Sequence, residues 1–413
     1  MKALRNLGLS ASLGLATIAI GLNATGIACA DERDRGQIEA EARSQAAEAD
    51  ARFKASDFAT ALLLYQAEQS SRKKLGDMRY EAYAHRAIGC CQEQLGDVDA
   101  AIASWKAAAV LDSKREDRGF EGYDWFLVGK AELRRDHVEQ AVIALEKSLP
   151  LLGTAIDRDH ECDSRLLLAI ARRTEGQPDE AQAQLDRAVE LARELKDTKR
   201  EADVLAQIGR LTLERDRPEL AAEWLSQARS HYEGLGLKAE VASMDRLLGD
   251  ALLDLNRPDA AQAFVEASAR EYVALGDHAA LADSYQFLAA IRAAGRDLPG
   301  AIVLARRAVE AARANEEPDA EIDNLVTLAR YQSLSADWKA ASATLSKGLP
   351  LAREQSPPPD LVRFLLLTAD VERHAYDVGN STALLLEAEK IAKSESDETL
   401  IQLVSEAKRQ VGR

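Results

Sequence analysis

One small residue returns every 40 positions along this chain of 413. Ala61, Ala101, Ala141, Ala181, Ala221, Ala261, Ala301, Ala341 and Ser381 are spaced by 40 with no insertion or deletion over nine copies. A second column, twelve residues earlier, reads Ala49, Gly89, Gly129, Ala169, Gly209, Gly249, Ala289, Ala329 and Ala369. Ala and Gly together make up about a fifth of a typical helical chain, so nine such hits by chance are on the order of one in a million. A period this strict excludes a mosaic of unrelated domains. The chain must instead stack copies of one supersecondary unit.

The columns say what the unit is. Two antiparallel helices approach to about 8 Å only where the facing residues are small, and one small position on each lets the pair close. Four residues beyond each anchor stands a larger apolar knob: Tyr65, Trp105, Leu145, Leu185, Leu225, Val265, Ala305, Leu345 and Leu385. An i, i+4 relation puts hole and knob on one helical face. Aromatic residues are only 5% of the chain and the apolar content rests on Ala and Leu, which favours helices over strands. Breaks fall before each second helix: Ser56-Asp57, Gly96-Asp97, Asp136-His137, Gly176-Gln177, Asp216-Arg217, Asn256-Arg257, Arg296-Asp297, Ala336-Asp337 and Tyr376-Asp377. Eight of these pairs offer an Asp or Asn as N-cap. The ninth, Gly176-Gln177, is followed by Pro178, which suits a first helical turn.

The stretch Leu75 to Gly89, Leu95-Gly96-Asp97, Ala101-Ile102 and Ala108 resembles the long, 40-residue form of the tetratricopeptide repeat (TPR), as in exported bacterial proteins of that family. The resemblance covers about residues 37–396 and implies an all-α array of nine helical hairpins within residues 31–396. Unit eight departs from the pattern at Ser356-Pro357-Pro358-Pro359 and unit nine at Ser381, as expected of an altered end. Residues 397–413, with Leu400, Ile401, Leu403 and Val404 among charges, read as a C-terminal capping helix.

Residues 1–30 have the three parts of a secretory signal peptide. A basic start (Lys2, Arg5) precedes an apolar run from Leu7 to Leu22, and Ala28-Cys29-Ala30 offers small residues for cleavage after Ala30. The apolar run is short for a spanning helix, so no transmembrane segment is expected in the mature chain. Gly26-Ile27-Ala28-Cys29 also resembles a bacterial lipoprotein box, with Gly26 where leucine is usual; acylation of Cys29 would tether the chain to a membrane. The expected location is periplasmic or secreted. The chain carries 53 basic and 69 acidic residues, a net charge of −16, which repels phosphate backbones and argues against nucleic acid as partner.

Chemistry is sparse. The six histidines form no i, i+3 or i, i+4 pair, so no metal site is expected. His160-Glu161-Cys162-Asp163 begins a hairpin and reads as structural or capping. Cys91 and Cys162 fall in core columns, and no intramolecular disulfide is expected. Cys90 falls on the groove side, where a thiolate nucleophile needs an activating base; His85 lies five residues back, an offset that does not share a helical face well. No phosphate loop or other catalytic signature appears, so neither catalytic residues nor a cofactor are assigned.

The TPR resemblance implies a concave groove lined by the first helices. Their inner positions lie one, four and eight residues beyond the column of Ala42, Ala82 and Gly122. In units two and three this gives Tyr83, Arg86 and Cys90, then Tyr123, Phe126 and Lys130; Arg134 follows one turn on. Aromatic rings beside basic groups anchor peptides well, so Tyr83, Arg86, Tyr123, Phe126, Lys130 and Arg134 are the candidate partner-binding residues. The expected function is a non-catalytic, extracytoplasmic protein-interaction scaffold binding a protein or peptide along that groove. Two alternatives stay open: a thiol-dependent or hydrolytic enzyme using groove residues, and a receptor holding a small molecule in the lumen.

Overall fold

The computed structural model describes residues 29–411, and over these the chain is helical with no strand. The expected signal peptide falls almost wholly outside the described residues, as does the side chain of Cys29. The first helices of the hairpins are α1 (Cys29–Lys54), α3 (Met78–Gln94), α5 (Arg118–Arg134), α7 (Arg158–Thr174), α9 (Thr198–Glu214), α11 (Lys238–Asp254), α13 (His278–Ala294), α15 (Pro318–Leu334) and α17 (Pro358–His374). The second helices are α2 (Phe58–Leu75), α4 (Val98–Lys114), α6 (Val138–Ala155), α8 (Pro178–Leu195), α10 (Pro218–Gly234), α12 (Pro258–Leu275), α14 (Leu298–Ala314), α16 (Trp338–Gln355) and α18 (Val378–Glu395). From α2 onward each series starts every 40 residues, and α19 (Glu398–Val411) keeps the same register.

The small-residue columns lie where helices cross. All nine anchors from Ala61 to Ser381 are fully buried, and Trp105, Leu145, Leu185, Leu225 and Leu345 rank among the largest fully buried side chains. A Cβ built on Gly89 would stand 2.5 Å from Trp105 Nε1, and one on Gly129 would stand 2.6 Å from Leu145 Cγ. The knob on each second helix thus fills the hole on its own first helix, sixteen residues earlier.

The turn within every hairpin is left-handed at one fixed position. Ser56, Gly96, Asp136, Gly176, Asp216, Asn256, Arg296, Ala336 and Tyr376 all have φ between 55° and 87°. This corrects the expected caps. The capping residue is the second of each pair, and Asp57, Asp97, Asp297, Asp337 and Asp377 each accept a backbone N–H there. Asp136, Asp216 and Asn256 occupy the left-handed position instead, which Asp and Asn tolerate better than most residues. His137, Arg217 and Arg257 then stand at the N-cap without a side-chain bond.

By packing, the chain falls into two compact units, one ending at Leu211 and the other beginning at Thr212. In the first, α1 to α8 each pack on their chain neighbours, and α5 also touches α7. In the second the same order runs from α10 to α19, with added contacts of α11 on α13 and α17 on α19. Close contact between helices two apart occurs in the odd series, which puts the odd helices on the inner side of the curvature within each unit. Leu400 and Val404 of α19 bury against Leu384, Leu385 and Ala388 of α18, closing the last hairpin with an otherwise polar helix.

Candidate functional site

The inner side of the first unit is built from α3, α5 and α7. The residue four beyond the small column is buried at 8% exposure or less in the second to fifth hairpins (Arg86, Phe126, Leu166 and Ala206). That position packs between successive odd helices instead of facing the groove. Its neighbours one and eight residues beyond the column, Tyr83, Cys90, Tyr123 and Lys130, are half-buried.

Arg86 is therefore not displayed to a ligand. Its Nε donates to Asp124 Oδ1 at 2.5 Å, and its Nη2 donates to Asp124 Oδ2 at 2.9 Å and to Asp112 Oδ2 at 2.6 Å. Asp112 and Asp124 are almost wholly buried, and Arg115 holds the second oxygen of Asp112 at 2.5 Å. Burial pushes both carboxyls above the usual range against the pull of Arg86. Burial also opposes the Arg86 charge, but the hydrogen bonds and charge of Asp124 and Asp112 outweigh it and hold the guanidinium above its ordinary value. This clamp ties α3, α4 and α5 together. Losing one member would strand buried charge, at a cost of about 3–5 kcal/mol.

The six expected residues divide into three places. Tyr83 turns toward the first hairpin, where its hydroxyl donates to Asp50 at 3.3 Å beside Tyr65, which donates to the same oxygen at 2.6 Å. Arg134 is exposed and ion-paired with Glu93. Arg86, Tyr123, Phe126 and Lys130 lie along α3 and α5 as expected, although Phe126 is only 3% exposed and contributes little more than an edge. Tyr123 stacks on Phe126 with ring centroids 6.0 Å apart. Burial pushes the Lys130 ammonium below its usual range, and Asp163 and Cys90 pull the other way; Lys130 has no ion pair within 4 Å among the described residues.

Two residues of this surface were missed. His160 lies against Tyr123 at 4.5 Å and Phe126 at 5.7 Å, while its Nδ1 meets Asp157 Oδ2 at 2.8 Å. Phe120, 46% exposed, covers the Arg86 guanidinium at 4.7 Å. Both occupy the position two before the small column, which reads Tyr80, Phe120, His160 and Arg200 along the first unit. From there a flat side chain reaches back over the preceding hairpin: Arg200 likewise clamps Asp163 at 2.9 and 3.2 Å. A column of planar side chains was the available signal.

Cys90, Cys91 and Cys162 are free thiols. Burial raises the Cys90 thiol, the reverse of what a thiolate nucleophile requires. Among the described residues no group of three His, Cys, Asp or Glu side chains could hold a metal ion. No helix among them is long and apolar enough to cross a membrane.

A tetratricopeptide repeat family model matches residues 160–234. No curated protein matches by sequence. Among solved structures, a signal-transduction ATPase with a TPR sensor from Pyrococcus horikoshii aligns over 84% of this chain and 54% of its own, with TM-score 0.57 and 12% identity. This chain thus spans about half of that ATPase. Yeast Tom70 aligns over 90% of this chain and 96% of its own (TM-score 0.51, 12% identity). A Rap protein complexed with competence and sporulation factor aligns over 88% and 99% (TM-score 0.50, 14% identity). At such identities the likeness is one of fold alone. The repeat model over residues 160–234, the similar folds and the hairpin register agree on a TPR-like fold of long, 40-residue helical hairpins.

Proposed function

We propose that the chain is a non-catalytic, extracytoplasmic interaction scaffold that binds a peptide or protein segment along the inner face of α3, α5 and α7. The observation that carries this reading is the half-buried ring of Tyr123, backed by Phe126 and His160, with half-buried Lys130 about two turns further along α5. A ring held by two others presents apolar surface at little entropic cost, and a desolvated cation on the same helix suits a carboxylate or backbone carbonyl of the bound segment. The Rap protein whose fold is similar was solved with competence and sporulation factor bound, which accords with a fold that accepts such a ligand. Export is supported by the leader in residues 1–30.

The test is proximity labelling in the native compartment with the wild-type chain and with Tyr123→Ala/Lys130→Glu. Partners enriched by the wild type and lost by the variant, from an exported fraction, are the expected result. Partners retained by a folded variant, or a chain recovered with residues 1–30 from the cytoplasm, would overturn the groove and export readings respectively.

A further inference from the structure

The second unit carries a cleft on its other side, away from the odd-helix face. Residues of α12 and α14 form its walls and α13 its floor, enclosing about 600 Å³. Tyr285 and Leu288 line the floor. Val273 and Val303, from the two walls, are 57% and 54% exposed. Three arginines, Arg270, Arg292 and Arg307, border it.

Of its two acidic residues, only Asp297 is paired with a cation among the described residues. Asp297 pairs with Arg292 at 3.5 Å, and Glu266 accepts a hydrogen bond from Gln262 at 2.6 Å. Arg270 and Arg307 are exposed and make no ion pair among the described residues. Three repeats earlier, the position of Arg307 is held by Arg187, which pairs with Glu190 at 2.7 Å and with Glu194. Glu310 stands at the same offset from Arg307 as Glu190 from Arg187, yet Arg307 lies over the Tyr285 ring at 5.9 Å instead. The first unit has a counterpart, Lys147 over Trp125 at 4.2 Å, in the same two columns. In a chain with 69 acidic and 53 basic residues, a lining of three arginines against Glu266 and Asp297, beside exposed valines, is a local surface of opposite sign.

We propose that this cleft is a second binding site, which takes an acidic peptide segment carrying apolar side chains. The valines and Tyr285 would cover the apolar residues, and Arg270 and Arg307 would meet carboxylates at the rim. Electrostatic complementarity at a rim governs specificity and salt dependence, so binding should weaken as salt rises.

Fluorescence anisotropy of the full chain with a short labelled peptide rich in Glu, Leu and Phe tests this, with its Gln-for-Glu counterpart as control. The acidic peptide should bind at least about tenfold more tightly than the Gln peptide. Arg270→Glu/Arg307→Glu should lose at least that factor, and Arg270→Lys/Arg307→Lys should keep most of the affinity. Both changes lie on exposed side chains, and circular dichroism checks that the fold is intact. Equal affinity for the two peptides would overturn the proposal, as would binding indifferent to Arg270→Glu/Arg307→Glu. Binding lost only in Tyr123→Ala/Lys130→Glu would assign the peptide to the inner face and leave the function proposed above standing. Sedimentation showing self-association that Arg270→Glu/Arg307→Glu dissolves would make a second copy the occupant, and would also overturn the proposal.

Discussion

Gly89 and Trp105 make the packing rule measurable. In Gly89→Ala the new methyl would meet three indole atoms, Nε1, Cδ1 and Cε2, at 2.5, 2.7 and 2.9 Å. The ring cannot swing aside, because Trp105 is fully buried and its Nε1 donates to the Arg86 carbonyl at 3.2 Å. Overpacking a rigid core costs about 1–3 kcal/mol, and three contacts this short belong at the upper end. Alanine returns about 1 kcal/mol of helix propensity, leaving a net loss of about 2 kcal/mol. Sister hairpins hold the relieved combination: Ala169 faces Leu185, and Ala329 faces Leu345, with both leucines fully buried. Trp105→Leu alone should cost about 2–3 kcal/mol through its cavity. Adding Gly89→Ala to that background should then be neutral or stabilising, a coupling of about 2 kcal/mol. Gly153→Ala is the control, since no neighbour lies within 4 Å of its added Cβ, and it should stabilise by about 0.5–1 kcal/mol. Arrays of repeats need not unfold in one step, so hydrogen exchange of the α3 and α4 amides reports the local effect more directly than a global melt. Gly89→Ala as stable as wild type, or equally harmful with Leu at 105, would refute the hole-and-knob account.

Two further predictions concern charge and caps. Burial pushes Glu68 up to about 7 from an ordinary 4.5, although Arg72 donates to its Oε1 at 3.3 Å, and its other oxygen is buried without a partner. The folded state therefore holds a proton that the unfolded chain has released between those two values, so the penalty is full above pH 7 and fades as pH falls toward 4.5. Urea melts of the first unit should show stability rising over that window by up to about 3 kcal/mol, with Asp112 and Asp124 adding in the same direction. Glu68→Gln should flatten its share and be no less stable than wild type at pH 8; an equal loss at pH 8 and pH 5 would contradict this. At the caps, Asp97→Ala should cost about 1 kcal/mol by freeing the Ala100 N–H, whereas Arg257→Asp should gain about 0.5–1 kcal/mol by supplying the missing acceptor ahead of Pro258. Guanidinium melts that move both variants in one direction would count against the assigned cap positions.

The unequal legibility of fold and site has a physical cause. Helix register, turn position and the hole-and-knob core repeat because each hairpin solves one local packing problem, and local solutions imprint a period on the sequence. Even there, composition misled at the caps. Asp136, Asp216 and Asn256 resemble capping residues in type, but the fixed left-handed φ one residue earlier claims them. The inner face depends on relations of another kind. Arg86 looks like a free basic anchor until Asp124 arrives from the next odd helix, 38 residues on, and Asp112 from the helix between. Tyr123 and Tyr83 share a column, yet Tyr83 is drawn to Asp50 because that hairpin offers a carboxylate where the next offers Cys90.

A repeated position thus gives a side chain its place, and the neighbouring hairpin decides whether that side chain packs or binds. The same logic separates Arg187 from Arg307. Both stand at one position of the ruler with a glutamate three residues on; Arg187 pairs with Glu190 and with Glu194, whereas Arg307 lies over the Tyr285 ring and has Ala314 in place of Glu194. Recognition in such an array is therefore to be sought where a periodic position has lost its periodic partner. Tyr123 with Lys130 on one face, and Arg307 with Arg270 on the other, meet that criterion.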